Sequence, residues 1–439
     1  MSSLPHPEAF VRWLRQVAPY VHAFRGRTFV IGFGGEVVAE RGRFVRFVHD
    51  LNLLAALGIR LVLVHGARTQ IEAELRAKRQ RSRYAHGLRI TDAQSLLAVK
   101  HAAGALRVEI EALLSQGLPN SPMAGAQIRV ASGNYIAAKP VGVVDGVDFQ
   151  FTGTVRKVDG AAIARRLEAG EVVLVPHIGY SPTGEVFNLA WEDVASSVAC
   201  ALKADKLMLA VEQLPTGARG QILSELTARE AEVLLKKDGL AAPTRRALAY
   251  AVGAVRAGVA RAHVVSRRAE GATLLELFTH SGVGTMITAD PVEKLRPAKI
   301  EDVGGILALI EPLEADGTLV KRSRERLEQE IANFELIEHD GAILACAALY
   351  PYAAEKSAEL ACLAVAPEVR DAGYGERLLH ACEMRAREMK LRRVFALTTR
   401  AQHWFLAQGF KEAGVGVLPA KRQALYNWKR GSKIFLKRL

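Results

Sequence analysis

The stretch VAPEVRDAGYGERLL (residues 365–379) decides the reading of the C-terminal third. An apolar strand, ELACLAV, runs into Arg370, then Gly373-Tyr374-Gly375, then a helix with Leu379, Cys382, Ala386 and Met389 on one face. Glycines allow close backbone approach, and a helix start directs free N–H groups outward. That combination suits a phosphate or pyrophosphate. It is not a P-loop, since no Gly-Lys-Ser/Thr follows, nor the dinucleotide fingerprint.

Upstream, TFVIGFGGEVV, IRLVLVHGARTQIEAEL, GEVVLVPHIG and ADKLMLAVE read as buried strands, several followed by amphipathic helices. Alternating strands and helices predict an α/β fold with a parallel sheet covered on both faces. The rhythm restarts after Pro291 and Pro297, so the boundaries expected are 1–287, a linker at 288–296, and a smaller α+β domain at 297–439. In the second domain FELIEHDGAILACAALYPY reads as a hairpin.

The chain has 439 residues and a formal net charge of +13, which admits nucleic acid or small anions as partners. The basic residues are spread without an aromatic-rich RNA-binding pattern, so no nucleic-acid partner is expected. No apolar run approaches a membrane span, and no signal peptide is visible. Four scattered cysteines argue for a reducing cytoplasm, no disulfide framework and no cysteine-based metal site. His65, His177 and His403 lack metal or triad spacing, and no metal is expected.

The order hairpin, strand, Gly loop, helix, strand RRVFALTT and then WFLAQGF resembles the GCN5-related acetyltransferases over about 290–439. The resemblance implies acetyl-CoA as co-substrate. Its pyrophosphate would lie on Arg370, Ala372, Gly373 and Gly375, and its pantetheine arm along Cys362, Leu363 and Val365. The pieces FVIGFGGEVV, LVLVHGARTQI, HGLRITD, DFQFTGTVRKVD, VVLVPHIG, FNLAWEDVASSVACALKADKL and GVGTMIT resemble, in order, the amino-acid kinase family in its acetylglutamate kinase branch. The joint architecture is similar to the bacterial N-acetylglutamate synthase family. That implies L-glutamate as acceptor, a place at the entry to arginine biosynthesis, L-arginine as effector and a homo-oligomer, with a hexamer implied by the ring-forming kinases.

The kinase pattern is broken where phosphate chemistry needs it. Gly32 stands where the family has a Lys, Ala67-Arg68 follow Gly66 where a second Gly is usual, and the catalytic Asp falls on Glu192. Phosphoryl transfer depends on such charges, so no kinase activity is expected; a bifunctional synthase–kinase and a non-catalytic arginine sensor are the alternatives.

Acetyl transfer needs a base for the acceptor ammonium. Strand alternation places Glu359, Ala361, Leu363 and Val365 on one face, and Glu359 is the candidate base, or else a Glu at an exposed strand start. Cys362 alternates with Leu360 and Ala364 and reads as a packed core thiol. The proton donor to the CoA thiolate, a Tyr in many acetyltransferases, falls on Phe405; Thr398 or Thr399 is the substitute, with Tyr374 a weaker one. Arg322, Arg422 and Arg430, beside Lys321 and Lys421, are candidates for the acceptor carboxylates. The kinase resemblance implies an arginine site at Glu276 with Gly282 and Gly284. The helix bearing Phe10, Trp13, Leu14 and Val17 is read as an assembly surface.

Overall fold

The computed structural model describes residues 7–217, 220–279, 282–339, 341–370 and 373–439. They form two compact units, Met1–Asp290 and Pro291–Leu439.

The first unit is built on an eight-stranded sheet in which Thr28–Phe33 lies between Lys206–Val211 and Arg60–His65, all parallel. Its strands are continuously apolar because both faces are buried. Along Thr28–Phe33, Val30 enters one core while Phe29, Ile31 and Phe33 enter the other. Arg261–Ser266 pairs antiparallel with Thr285–Thr288 near one edge. A smaller four-stranded sheet accompanies it. The N-terminal helix Pro7–Phe24 leaves Phe10, Trp13 and Leu14 exposed, whereas Val17 is buried against its own unit. Val17 therefore belongs to the core and not to a free apolar surface.

The second unit is a seven-stranded sheet, order Glu293–Pro297, Phe334–His339, Ala342–Tyr352, Ser357–Val365, Arg393–Thr398, Lys433–Arg438 and Lys411–Ala413. Glu293–Pro297 is thus an edge strand, in a stretch read from sequence as part of a linker. Neighbours are antiparallel except Ser357–Val365 and Arg393–Thr398, which run parallel. A parallel pair requires a crossover, and helix Tyr374–Glu388 supplies it, packing Leu378, Leu379, Cys382 and Ala386 on one face of the sheet. Helix Val303–Ala315 covers the other face through Val303, Ile306 and Ile310. Among the described residues no helix is long and apolar enough to cross a membrane.

Candidate active site

The parallel pairing of Ser357–Val365 with Arg393–Thr398 stops at Leu360 and Ala396, although both strands continue. Beyond that point the strands part. Backbone groups of residues 361–365 on that side are left without a ladder, and an extended polar chain could occupy their place. On the other side the register slips between Cys346 and Ala348, and Cys362 takes φ +52°. This is a β-bulge, and it reverses the facing of all that follows.

The reversal corrects the alternation expected from sequence. Leu360 shares its core with Leu363 and Val365, against the Tyr374–Glu388 helix. Cys362 and Ala364 are on the opposite side. Glu359 faces its cross-strand neighbours Tyr350 and Phe395, on the side of Cys362 and away from Leu363 and Val365. The Cys362 side chain is buried in apolar surroundings, so only its backbone is offered to the parting strands.

Where the strand ends, Ala366 N donates to Leu344 O and a short turn Pro367–Val369 leads to Arg370, which is exposed. Ala372 lies outside the described residues. Gly373 has φ +77° and caps the Tyr374–Glu388 helix without any side chain bonding its first N–H groups. This end of a 15-residue helix is therefore open to an anion. Gly373 is surrounded by open space, whereas a Cβ on Gly375 would sit 3.2 Å from the Trp404 ring. The constraint at Gly373 is thus its left-handed backbone, and at Gly375 a packed indole. Tyr374 is buried and its hydroxyl is bonded to Glu293, which also takes Arg377; this removes Tyr374 as a proton donor.

Glu359 is buried. Arg422 Nε donates to its Oε2 at 2.7 Å and Arg422 Nη2 to its Oε1 at 3.0 Å. Burial opposes the Arg422 charge, but Glu359 outweighs it and holds the guanidinium pKa above its ordinary value. Arg422, assigned from sequence to the substrate, is here the partner of the candidate base. Tyr352 adjoins this pair; burial first, then Glu359, pushes its phenol pKa up. Arg322 is near Cys362 and Tyr350, and its charge is felt at Arg422. Its Nη1 donates to Val320 O at 3.0 Å, while its buried Nε has no partner and is a spare donor. Arg430 is committed elsewhere: Nη2 donates to Gly317 O and Thr318 O at 3.1 and 2.7 Å, so it braces the loop leading to Arg322. Thr398 Oγ1 accepts from Arg400 N and Ala401 N at 3.2 and 2.9 Å, which leaves its own proton free to donate. Phe405 is core, stacked on Phe435 at 6.0 Å. The tyrosines Tyr350 and Tyr352 escaped the sequence reading, because only the pairing of Ala342–Tyr352 with Ser357–Val365 shows that they adjoin Glu359. No His/Cys/Asp/Glu group fit for a metal occurs among the described residues.

The Acetyltransferase (GNAT) family matches residues 309–410 and the Amino acid kinase family residues 27–266. An amino-acid acetyltransferase of Ralstonia nicotianae is 52% identical, over 99% of this chain and 96% of that protein. The chain belongs to the amino-acid acetyltransferase family. An N-acetylglutamate synthase structure from Neisseria gonorrhoeae, complexed with coenzyme A and L-arginine, is 39% identical, covers 98% of this chain and 99% of that one, and has a TM-score of 0.89. A second structure of that synthase, complexed with coenzyme A and N-acetyl-glutamate, has the same identity and coverage and a TM-score of 0.62.

In this amino-acid acetyltransferase the kinase-like unit carries a plug. The Trp191 ring lies against Gly32, which stands in place of the Lys, and against the retained Gly66: a Cβ on Gly32 would be 2.8 Å from it and one on Gly66 2.6 Å. The space beside these two glycines is taken by an indole. Glu192, in the place of the catalytic Asp, is buried, and burial raises its pKa to about 7, a poor state for ordering charge.

Glu276 is also differently employed from the reading that gave it to an arginine guanidinium. Its Oε2 accepts from Val283 N and Gly284 N at 2.8 and 2.7 Å, and Oε1 meets His263 Nδ1 at 2.7 Å. His263 in turn contacts Lys206 Nζ at 3.3 Å. Gly282 (φ +59°) and Gly284 wrap so closely that a Cβ on either would lie 2.4 or 3.1 Å from Glu276 Oε2. Glu276 therefore builds the turn, and its carboxylate is occupied.

Proposed function

We propose that the chain transfers the acetyl group of acetyl-CoA to the α-amino group of L-glutamate, giving CoA and N-acetyl-L-glutamate. The observation that carries this is one arrangement: strands parting after Leu360 and Ala396, an uncapped helix start at Gly373, and Glu359 with Arg422 beside the opening. The pyrophosphate is held at the helix start and the pantetheine lies along residues 362–365. Arriving substrate draws Arg422 from Glu359 onto a carboxylate of glutamate, with Arg322 Nε as a second donor. Glu359, released, takes a proton from the ammonium directly or through water, and the amine attacks the thioester carbonyl carbon. The tetrahedral intermediate gives up the second proton of its nitrogen to solvent and collapses with cleavage of the C–S bond, and the Thr398 hydroxyl passes a proton to the thiolate and regains one from solvent.

The Neisseria gonorrhoeae synthase, with coenzyme A and N-acetyl-glutamate in one structure and L-arginine in another, supports both the acceptor and an arginine effector. The same reading gives the first unit regulation and assembly, the second catalysis, and the chain a cytoplasmic homo-oligomer. The Trp191 plug speaks against the bifunctional alternative. Thiol release from acetyl-CoA with a panel of amino acids tests the reading. L-glutamate should exceed all others in kcat/KM; preference for another amino acid, or none, would refute it.

A further inference from the structure

Several half-buried cations of the second unit hold a carboxylate: Arg296 with Asp302 and Glu338, Arg385 with Glu335, Arg422 with Glu359, and Lys437 with Glu383. The half-buried Arg322 guanidinium forms no such pair among the described residues. Its Nη1 donates to Val320 O at 3.0 Å, and its buried Nε has no partner. A desolvated cation left without a counter-charge is costly, so its isolation needs a reason. Its backbone is nevertheless pinned, since Arg322 N donates to Glu314 Oε1 at 2.9 Å. A carboxylate is also close at hand. The guanidinium adjoins both Tyr350 and Glu330, and the Tyr350 hydroxyl stands between the two. That hydroxyl donates to Glu330 Oε2 at 2.6 Å and is within hydrogen-bonding reach of Arg322. The other oxygen, Glu330 Oε1, takes Arg326 Nε at 3.0 Å. Tyr350 itself lies directly opposite Glu359 in the strand pairing. A phenol has one proton to give, and giving it to Glu330 leaves only acceptor sites for Arg322. Donation to a carboxylate also makes the phenol oxygen a better acceptor. Burial and then Glu330 push the phenol pKa up against the pull of Arg322, so the proton stays on the hydroxyl.

We propose that Tyr350 is a positioning residue for the acceptor: by capping Glu330 it holds Arg322 in place without neutralising it, and the guanidinium stays open to a substrate carboxylate. This rests on the reading of Arg322 as a donor to the acceptor. A direct bridge from Arg322 to Glu330 would have to break before the substrate could pair, just as Arg422 must leave Glu359. The neutral hydroxyl imposes no such exchange. The two cations thus act differently, one released by the substrate and the other waiting for it.

The test is steady-state kinetics of the full chain, with L-glutamate and acetyl-CoA varied in turn and a thermal melt to report that each variant is folded. Tyr350→Phe uncovers Glu330 Oε2, onto which Arg322 can fall. The glutamate KM should rise by about tenfold or more, with kcat and the acetyl-CoA KM within about threefold of the wild type. Adding Glu330→Gln to Tyr350→Phe removes the competing carboxylate and should recover most of that rise. A role confined to packing predicts the reverse, since the second change takes away another contact. Glu330→Gln alone keeps an acceptor for the hydroxyl and should leave the glutamate KM within about twofold. In an Arg322→Ala background Tyr350→Phe should have little further effect. An unmoved glutamate KM in folded Tyr350→Phe, a further rise on adding Glu330→Gln, or a large rise in Glu330→Gln alone would overturn the proposal and leave glutamate acetylation standing. A wild-type chain that releases no thiol with L-glutamate would instead refute the acceptor reading, and this proposal with it.

Discussion

Arg422 grips Glu359 at two points, Nε to Oε2 at 2.7 Å and Nη2 to Oε1 at 3.0 Å, so the predicted substrate cation guards the predicted base. A half-buried bidentate pair is costly to break by removing one side, because the other is left desolvated. Exchange of partners with the substrate carboxylate avoids that cost and couples acceptor binding to release of the base.

Replacing Glu359 by Gln keeps a hydrogen-bonding partner for Arg422 but removes the proton acceptor. Turnover should fall by about 10²–10⁴-fold with acetyl-CoA KM near normal. Arg422→Ala should instead raise the glutamate KM, and the double variant should be far from additive. Steady-state kinetics across pH check this; unchanged turnover in Glu359→Gln at every pH would sink the base.

Gly373 and Gly375 should fail differently. Gly373→Val forces a branched side chain to φ +77°, so it should raise the acetyl-CoA KM severely by moving the helix start, with the domain still folded. Gly375→Val pushes on Trp404 and should also lower thermal stability. Calorimetry with CoA and a thermal melt separate the two; normal acetyl-CoA binding in Gly373→Val would remove the loop from the site.

The parallel sheet, the crossover helix and the Gly loop were legible because each rests on local pattern: continuous apolar runs, period-2 and period-3.6 spacing, and glycines at a strand end. Glu359 was legible as a carboxylate that an apolar strand would not hold without use, whereas Arg322 and Arg422 were read only as cations that an acceptor with two carboxylates needs. What the sequence hid was register. A single bulged residue, Cys362, moved Leu363 and Val365 to the other face, and nothing local to ACLAV announces it; the hairpin pairing Tyr352 with Ser357 is what brings Tyr350 and Tyr352 beside Glu359. Pairings across long separations were equally hidden. Arg422 meets Glu359, and Arg430 meets the 317–318 carbonyls, only once the tail has folded back.

The Trp191 plug predicts an intolerance. Gly32→Ala places a methyl 2.8 Å from the ring and 3.0 Å from Ala195 Cβ, which should cost about 1–3 kcal/mol of stability. Trp191→Ala in the same chain should recover part of that loss. Neither variant, nor the wild type, should phosphorylate N-acetylglutamate; ATP-dependent phosphorylation by the purified chain would contradict the reading.

Three buried imidazoles should make the first unit acid-sensitive. Burial lowers His65 to about 4, His177 to about 3 and His263 to about 4. Unfolded, each titrates near ~6.5. Their stabilisation is therefore full above that pH and is lost as pH falls toward the folded values, where the unfolded chain binds more protons. Glu192, raised by burial to about 7, and Asp50, raised to about 6 by burial and Glu270, act oppositely: their contribution is lost as pH rises through those values. Denaturant midpoints between pH 6.5 and 4.5 should fall less steeply for a His65→Asn variant than for the wild type. An identical slope would show that His65 does not stay neutral in the fold.

Arginine regulation offers the sharpest test of how Glu276 acts. If the carboxylate paired directly with a guanidinium, its charge would be indispensable. In the fold that charge is already shared between His263 Nδ1 and the Val283 and Gly284 N–H groups. Those contacts, with burial opposing them, hold the Glu276 pKa below its ordinary value. The turn is wound so tightly around Oε2 that Gly282 and Gly284 have no room for a side chain. Glu276→Gln retains one oxygen for the two N–H groups, and the neutral His263 can change tautomer to accept from the new amide. It should therefore keep most of the arginine inhibition that we propose for the full chain. Glu276→Ala removes the support altogether, and should abolish inhibition and lower stability by about 1–3 kcal/mol while acetyl transfer persists. Equal loss of inhibition in the two variants would restore the direct guanidinium contact. Arginine inhibiting a chain that begins at Pro291 as potently as the full chain would place the sensor outside the first unit.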